Sequence, residues 1–378
     1  MHIDDTTAVD RGRYPDAATP WERESWRAEA LGWVADRLTT HGLRPDGALR
    51  VRLRPWSVLV RIPVTGPGAG AGQEGGAAHG AGAGQGGGAA HGAGAGQGAG
   101  AGQGVGVGQA VVWFKANPPA SAFEGPLTAA LARWVPEHVL RPLAVEAERG
   151  WTLLPDGGDL FRAVLGREPV EPRDWEALLR QYGSMQNDLV PHADEIERLG
   201  VPAARTRDLP EVFDKLLAGN RALAPDQRTR LERLRPRLAD WCAELASAGI
   251  PDTLDHADLH DGQLFRPAPG RFTFFDWGDA TVSHPFCSLR VPVERACDRY
   301  GAQVLPRLLD AYLEPWTGHG RTAAELRRAA ELAWRLSALG RADSWGRMFP
   351  DASGTRPGTA EGAAWLLELL GEPPFRSA

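Results

Sequence analysis

The sequence predicts an α+β protein in two lobes. The first is a small antiparallel β lobe carrying one helix, and the second is larger and mostly α-helical. Three observations carry that expectation. At 378 residues the chain exceeds what one hydrophobic core usually spans, and 43% hydrophobic content with 14 Trp is ample for a buried interior. Period-two alternation of apolar and polar residues marks residues 48–54 and 57–64, and further strand-like runs follow up to residue 154 once a Gly/Ala-rich tract is set aside. From Asp174 onward apolar residues recur mainly at helical spacing.

Taken in order, residues 1–44 read as an N-terminal extension with one amphipathic helix, Trp21 to Leu38. Residues 45–154 form the first lobe. Ala48 to Arg54 and Ser57 to Val64 alternate with period two around Pro55-Trp56, the pattern of a hairpin with one exposed face. Between residues 65 and 109 the chain is almost wholly Gly, Ala and Gln, and GGAAHGAGAGQG at 75–86 recurs identically at 87–98. Such a tract buries too little apolar surface to offset its backbone entropy, so a disordered insertion is expected there rather than a phosphate-cradling loop. Val111 to Lys115 then supplies a third strand, Ser121 to Trp134 a helix, and the stretches near Leu140–Val145 and Trp151–Leu154 two further strands.

A turn-like segment, residues 155–160, precedes the second lobe, residues 161–378. Helices are expected there at Asp174–Leu189, Pro210–Leu223, Gln227–Ala248, Ala302–Leu313, Thr322–Leu339 and Gly362–Leu370. Trp316, Trp334 and Trp345 fall at helical spacing and are expected in the core, stacking on a ligand being the alternative.

Composition excludes several functions. A net charge of −6 with a pI near 6.0 gives no footprint for nucleic acid. Cys242, Cys287 and Cys297 have neither metal-ligand spacing nor an even disulfide framework, and no apolar run reaches membrane-spanning length. A soluble cytoplasmic protein, with no membrane partner, is the expectation.

Two features carry chemistry. Of 42 basic side chains other than His only two are Lys, Lys115 and Lys215. In a chain so biased toward Arg, a Lys at the end of an apolar strand suggests a site that needs a compact point charge, with a solvated strand end as the alternative. The second feature is the segment DHADLHDGQLFRPAPGRFTFFDWGD at 255–279. Its His-x-Asp-Leu-His-x-x-Gln motif is followed, 18 positions after Asp258, by Asp276 at the end of an apolar run. A loop ending in an amide and a hairpin returning to a carboxylate can bring three oxygens together. Phosphoryl transfer needs such a set, one carboxylate for the nucleophile and two ligands for magnesium.

The motif resembles the catalytic and metal loops of the aminoglycoside phosphotransferase family, a small-molecule branch of the protein-kinase-like fold. The resemblance covers roughly residues 45–345, outside the insertion. It implies ATP and Mg²⁺ as cofactors and a hydroxyl of a small molecule as acceptor, an amino sugar, an aminoglycoside-like compound or another alcohol. Lys115 would contact the α- and β-phosphates and pair with Glu124. Leu154, Asp156 and the rest of the 155–160 linker would face the adenine edge. Asp258 would be the catalytic carboxylate, while Gln263 and Asp276 would ligate Mg²⁺. His256 would hold the loop by hydrogen bonds. Gln at 263, where most of the family has Asn, is similar to maltokinase-type members, and Ala257 stands where Gly is usual. Asp261 and Asp279 are the less secure carboxylates of this segment, plain solvation being the alternative reading of each. The alternatives are a catalytically inactive kinase-like nucleotide-binding protein and a metal-dependent hydrolase built on the His/Asp cluster.

Overall fold

The computed structural model describes residues 7–12, 14–16, 18–66, 110–318, 320–348 and 359–375. The expected insertion at 65–109 therefore lies, apart from Thr65 and Gly66, outside the described residues. The chain opens with a short strand β1 (Ala8–Asp10) and helix α1 (Glu24–Thr40). Thr19 and Glu22 form a capping box just ahead of that helix. Then follow β2 (Arg44–Pro45), β3 (Arg50–Arg54), β4 (Ser57–Thr65), β5 (Ala110–Ala116), helix α2 (Glu124–Trp134), β6 (Ala144–Glu146) and β7 (Trp151–Pro155).

These strands make one sheet in the order β1-β3-β4-β5-β7-β6, with β2 paired to the far end of β4. All pairings are antiparallel except β1 with β3, which is parallel. Three residues are too few for alternation to reveal, so β1 was invisible in the sequence. The segment read as an extension thus contributes a strand and a helix to the first lobe.

Alternation decides which way each side chain points. Val58, Val60, Ile62 and Val64 on β4, with Val112 and Phe114 on β5, bury against Ala30, Leu31, Val34 and Leu38 of α1. Each such side chain contributes on the order of 1.5–3 kcal/mol on burial. The opposite face carries a row in register, Arg52 beside Leu59, Leu59 beside Lys115, and Lys115 beside Thr152. Lys115 is thereby turned from the α1 side toward the second lobe.

The second lobe is mostly helical, as expected: α3 (Phe161–Arg167), α4 (Pro172–Leu189), α5 (Ala193–Arg198), α6 (Leu209–Gly219) and α7 (Pro225–Ser247), then α8 (Arg290–Tyr300), α9 (Leu305–Leu313), α10 (Ala323–Met348) and α11 (Thr359–Glu368). Between α7 and α8 lie two small antiparallel pairs, β8 (Thr253–Asp255) with β11 (Thr281–Ser283) and β9 (Leu264–Ala268) with β10 (Arg271–Phe274). Sequence reading missed α3, α5 and α8, which are short, polar or interrupted by Pro292. It also ended α10 at Leu339, before Gly340 and Gly346. The helix continues because Arg341, Ala342, Ser344 and Trp345 are buried there. Trp316, Trp334 and Trp345 are buried, in agreement with the core reading.

Two apolar clusters result, one per lobe, and α2 joins them: Leu127 and Leu131 pack into the second cluster while Glu124 faces β5. The lobes are stitched further by bridges between Val139 and Phe274 and between Leu160 and Phe265. Among the described residues no helix is long and apolar enough to cross a membrane.

Val64 and Ala110 are paired neighbours, so a short turn can link β4 to β5. Replacing residues 67–108 with a four-residue Gly-containing turn is expected to leave the protein folded. If the removed connection is flexible, stability rises by about 2 kcal/mol at most. Thermal unfolding checks this, and a large drop in Tm would show that the tract supports the lobe.

Candidate active site

Lys115 sits at the meeting point of three elements. Its Nζ lies 2.7 Å from both carboxylate oxygens of Glu124 at the start of α2, and 2.5 Å from Asp276 Oδ1, just after β10. All three side chains are nearly inaccessible. Burial disfavours the Lys115 ammonium, yet the Asp276 and Glu124 carboxylates outweigh it and raise its pKa. Burial likewise acts to raise the Asp276 carboxyl, but Lys115 prevails and holds it below its ordinary value. For Glu124 burial wins against Lys115, and the pKa is raised. Asn117 steadies the cluster by donating from Nδ2 to Glu124 Oε2 (2.5 Å) and to Ser121 O (3.1 Å).

The loop between β8 and β9 brings Asp258 into the same region. Ala257 has φ of +60° and Asp276 φ of +65°, both in the left-handed region that L side chains rarely adopt. The first explains why a Gly suits this position in similar loops. The loop is anchored regardless. Ala257 N–H donates to Asp255 Oδ1 (2.8 Å), His256 N–H to Tyr182 Oη (3.0 Å), and the His256 ring pairs through Nε2 with Phe275 O (2.9 Å). Phe275 N–H donates to Gln263 O (3.2 Å), which sets Gln263 beside the approach to Asp276.

Asp258 is fully buried, and burial pushes its carboxyl up to about 7 against the opposing charge of Arg341. Its Oδ2, like Gln263 Oε1, is a buried oxygen with no hydrogen-bond partner among the described residues. Buried acceptors are normally satisfied, and such oxygens suit a hydroxyl donor or a hard cation. The residues thus fit Mg²⁺ in the manner of a site where the protein supplies few ligands and phosphates the rest. Among the described residues no group of three or more His, Cys, Asp or Glu side chains could hold a metal, so the ligand set of a zinc hydrolase is not found in them.

A pocket between the lobes is lined by Arg52, Leu59, Trp113, Lys115, Leu154, Pro155, Phe265, Phe275 and Asp276, among others. One expected contact changes. Asp156 N–H donates to Val111 O (3.2 Å) and its carboxylate accepts from Trp113 Nε1 (3.0 Å), so Asp156 is committed to the sheet. Backbone groups alternate sides along a strand, and β6 stops opposite Leu153. The Pro155 carbonyl is therefore the group that faces the open edge. Gly157 is required close by, since a Cβ there would lie 2.2 Å from the Phe265 ring.

Sequence reading missed one contributor and named no partner for two others, Asp261 and Asp279. Arg341 on α10 places Nη2 3.1 Å from Asp258 Oδ1, and among 40 Arg nothing marked it. Asp279, for which solvation was the alternative, is buried and accepts from Ser344 Oγ. Asp261 is held in a two-pronged pair with Arg162 (2.9 and 3.0 Å). The three-residue spacing from Asp276 to Asp279 was the one available signal for the second.

Comparison with known proteins agrees with this geometry. The sequence model of the phosphotransferase enzyme family matches residues 112–332, more than half of the chain. No curated protein matches it. Among solved structures, the apoenzyme of a macrolide 2'-phosphotransferase from Brachybacterium faecium is similar with 17% identity and a TM-score of 0.50, over 92% of this chain and 100% of that one. An ethanolamine kinase of Plasmodium vivax is similar with 11% identity and a TM-score of 0.52, over 92% of this chain and 88% of the other. These two likenesses establish the bilobal kinase-like fold.

Replacing Ala257 by Gly relieves the left-handed strain, about 1–2 kcal/mol, at an entropic cost of about 0.5–1 kcal/mol. Ala257→Gly is expected to raise the unfolding midpoint in denaturant slightly with no change in m. A clear loss of stability would mean that the Cβ packing outweighs the strain.

Proposed function

Because the chain belongs to the phosphotransferase enzyme family, we propose that it moves the γ-phosphoryl group of Mg·ATP to a hydroxyl of a small molecule. The observation that carries this reading is a buried Lys held by two carboxylates on the pocket wall, with Asp258 close enough to feel the Asp276 charge and Gln263 bonded to the residue before Asp276, each bearing a buried oxygen without a hydrogen-bond partner among the described residues. Little covalent chemistry is asked of the protein in phosphoryl transfer, so positioning and charge do the catalysis.

In this reading Lys115 contacts the α- and β-phosphates, with Glu124 fixing its direction. The Pro155 carbonyl and the Gly157 N–H meet the edge of the base. Asp276 and Gln263 hold Mg²⁺, whose charge, once bound, offsets that developing on the phosphates. Asp258 orients the acceptor hydroxyl and takes its proton. The acceptor is an alcohol of the hydroxylated amine, amino sugar or aminoglycoside kind, consistent with the macrolide and ethanolamine enzymes that share the fold. A site run by soluble ATP and Mg²⁺ suits the cytoplasm.

Titration calorimetry with a non-hydrolysable ATP analogue tests the assignment before an acceptor is known. Asp276→Asn is expected to weaken Mg²⁺-dependent binding about tenfold or more, since a charged ligand is lost, and Gln263→Ala to do so more mildly. Asp258→Asn should leave binding nearly unchanged and lower kcat by about 10²–10⁴ once an ATP-consuming hydroxyl has been found by screening. Nucleotide binding without turnover across that screen would favour an inactive kinase-like protein. Lys115→Ala is a poor probe of function. It leaves Glu124 and Asp276 buried and uncompensated, at a cost of about 3–5 kcal/mol.

The acid limb gives an independent check. Asp258 must be ionised to accept a proton, and its folded-state pKa is pushed up to about 7. Its active form is therefore lost as pH falls through that value. A plot of kcat/KM against pH, which reports the free enzyme, should drop below about pH 7. A flat profile down to pH 5 would remove Asp258 as the base.

A further inference from the structure

The pair of Asp258 with Arg341 spans 83 residues of sequence and joins the catalytic loop to α10. Both side chains are at most 4% exposed, and Nη2 stands 3.1 Å from Oδ1. A buried ion pair does little for stability, because desolvating two charges offsets most of their attraction. This pair is also lopsided in a way that a purely structural pair need not be. Oδ1 faces the Arg341 guanidinium, while Oδ2 has no hydrogen-bond partner among the described residues, and His260 Nε2 stands 3.8 Å from it. Gly262 N–H donates to His260 Nδ1 (2.9 Å), so that nitrogen carries the lone pair and the ring proton sits on Nε2, toward Asp258. Nε and Nη1 of the guanidinium have no hydrogen-bond partner among the described residues, and stacking is what fixes its plane. Its carbon lies 5.3 Å over the ring of Trp365 on α11, and the same ring receives Arg290 at 4.9 Å.

We propose that Arg341 is a positioning residue of the transfer step, holding one oxygen of Asp258 so that the other faces the acceptor hydroxyl. The inference rests on the role of Asp258 given above. In the step, the hydroxyl oxygen bonds to the γ-phosphorus, and the bond from that phosphorus to the bridging oxygen breaks with its electron pair leaving on ADP. The hydroxyl proton passes to Asp258 Oδ2. A carboxylate free to rotate would offer either oxygen in many directions. One pinned through Oδ1 offers a single lone-pair direction at little entropic cost during reaction. The groups facing Asp258 are Arg341 from α10, His256 and His260 from its own loop, and Asp276 and Asp279 from the segment after β10. Burial and the two carboxylates oppose ionisation, and Arg341 and His256 favour it.

Arg341→Met and Arg341→Lys, each checked for folding by thermal unfolding, separate this role from a structural one. Arg341→Met is expected to lower kcat about tenfold or more while Mg·ATP affinity stays within about twofold, the mark of a contact used in the transition state. It should also move the acid limb of kcat/KM upward by about one unit or more, since a cation within 4 Å is lost. Arg341→Lys should restore the limb but not all of kcat, because a point charge cannot hold the carboxylate's direction as a planar fork does. Carbon-13 NMR of protein labelled at the aspartate carboxyl carbons reads the same titration without nucleotide or acceptor, with the Asp258 signal identified by its loss in Asp258→Asn. An unchanged Asp258 midpoint in folded Arg341→Met overturns the proposal, and so does a moved midpoint with unchanged kcat. A wild-type protein that fails to bind Mg·ATP overturns the kinase reading instead.

Discussion

A cation buried between two carboxylates is the constraint on which the arrangement turns. Lys115 arrives on a strand of the first lobe, Glu124 on the helix that bridges the lobes, and Asp276 from the hairpin of the second. None of the three could be buried alone without a penalty of several kcal/mol. Each therefore fixes where the others' backbones can run. The left-handed Asp276 illustrates the consequence. A conformation that costs about 1–3 kcal/mol persists because Lys115 grips the carboxylate it delivers.

The charge count of that cluster bears on the proposed reaction. One ammonium and two carboxylates leave a formal charge of −1, with Asp258 and Arg341 cancelling beside it. Arg52 on the same pocket wall adds a second cation, and a bare polyphosphate meets more repulsion from the two carboxylates than its less highly charged magnesium complex does. Coupling between metal and nucleotide binding then follows from electrostatics. The same reasoning accounts for a Lys in a chain otherwise built on Arg. A compact ammonium can touch three oxygen partners in different directions, and a planar fork cannot.

Much of this was legible in the sequence, for identifiable reasons. Long alternating strands and periodic helices declared themselves because one face of each is buried. Lys115 stood out by its rarity, and the 255–279 segment by the spacing of its oxygens. The unread parts share a cause. The three-residue β1 is too short for a period, and Gly340 and Gly346 argued against a helix that tertiary packing sustains. The commitment of Asp156 to the sheet depends on which side of a strand a backbone group faces, which composition does not encode. Arg341 was hidden among many like residues and is recognised only by what it touches.

The loop between β8 and β9 is better satisfied behind than in front. Asp255, Tyr182, Ser288, Gln186 and Tyr312 form a closed hydrogen-bond network behind it, every link of which is buried. In front, Asp258 Oδ2 and Gln263 Oε1 have no hydrogen-bond partner among the described residues. A half-satisfied polar network is ordinarily a defect, because each orphaned group costs about 1–3 kcal/mol. Here the rigid rear network carries that cost and keeps the loop from relaxing to satisfy its own oxygens. What is lost in stability remains available as binding free energy for ligands that supply a cation and a hydroxyl at those two points. Loosening the rear network, far from any substrate, should therefore weaken catalysis as surely as altering the front.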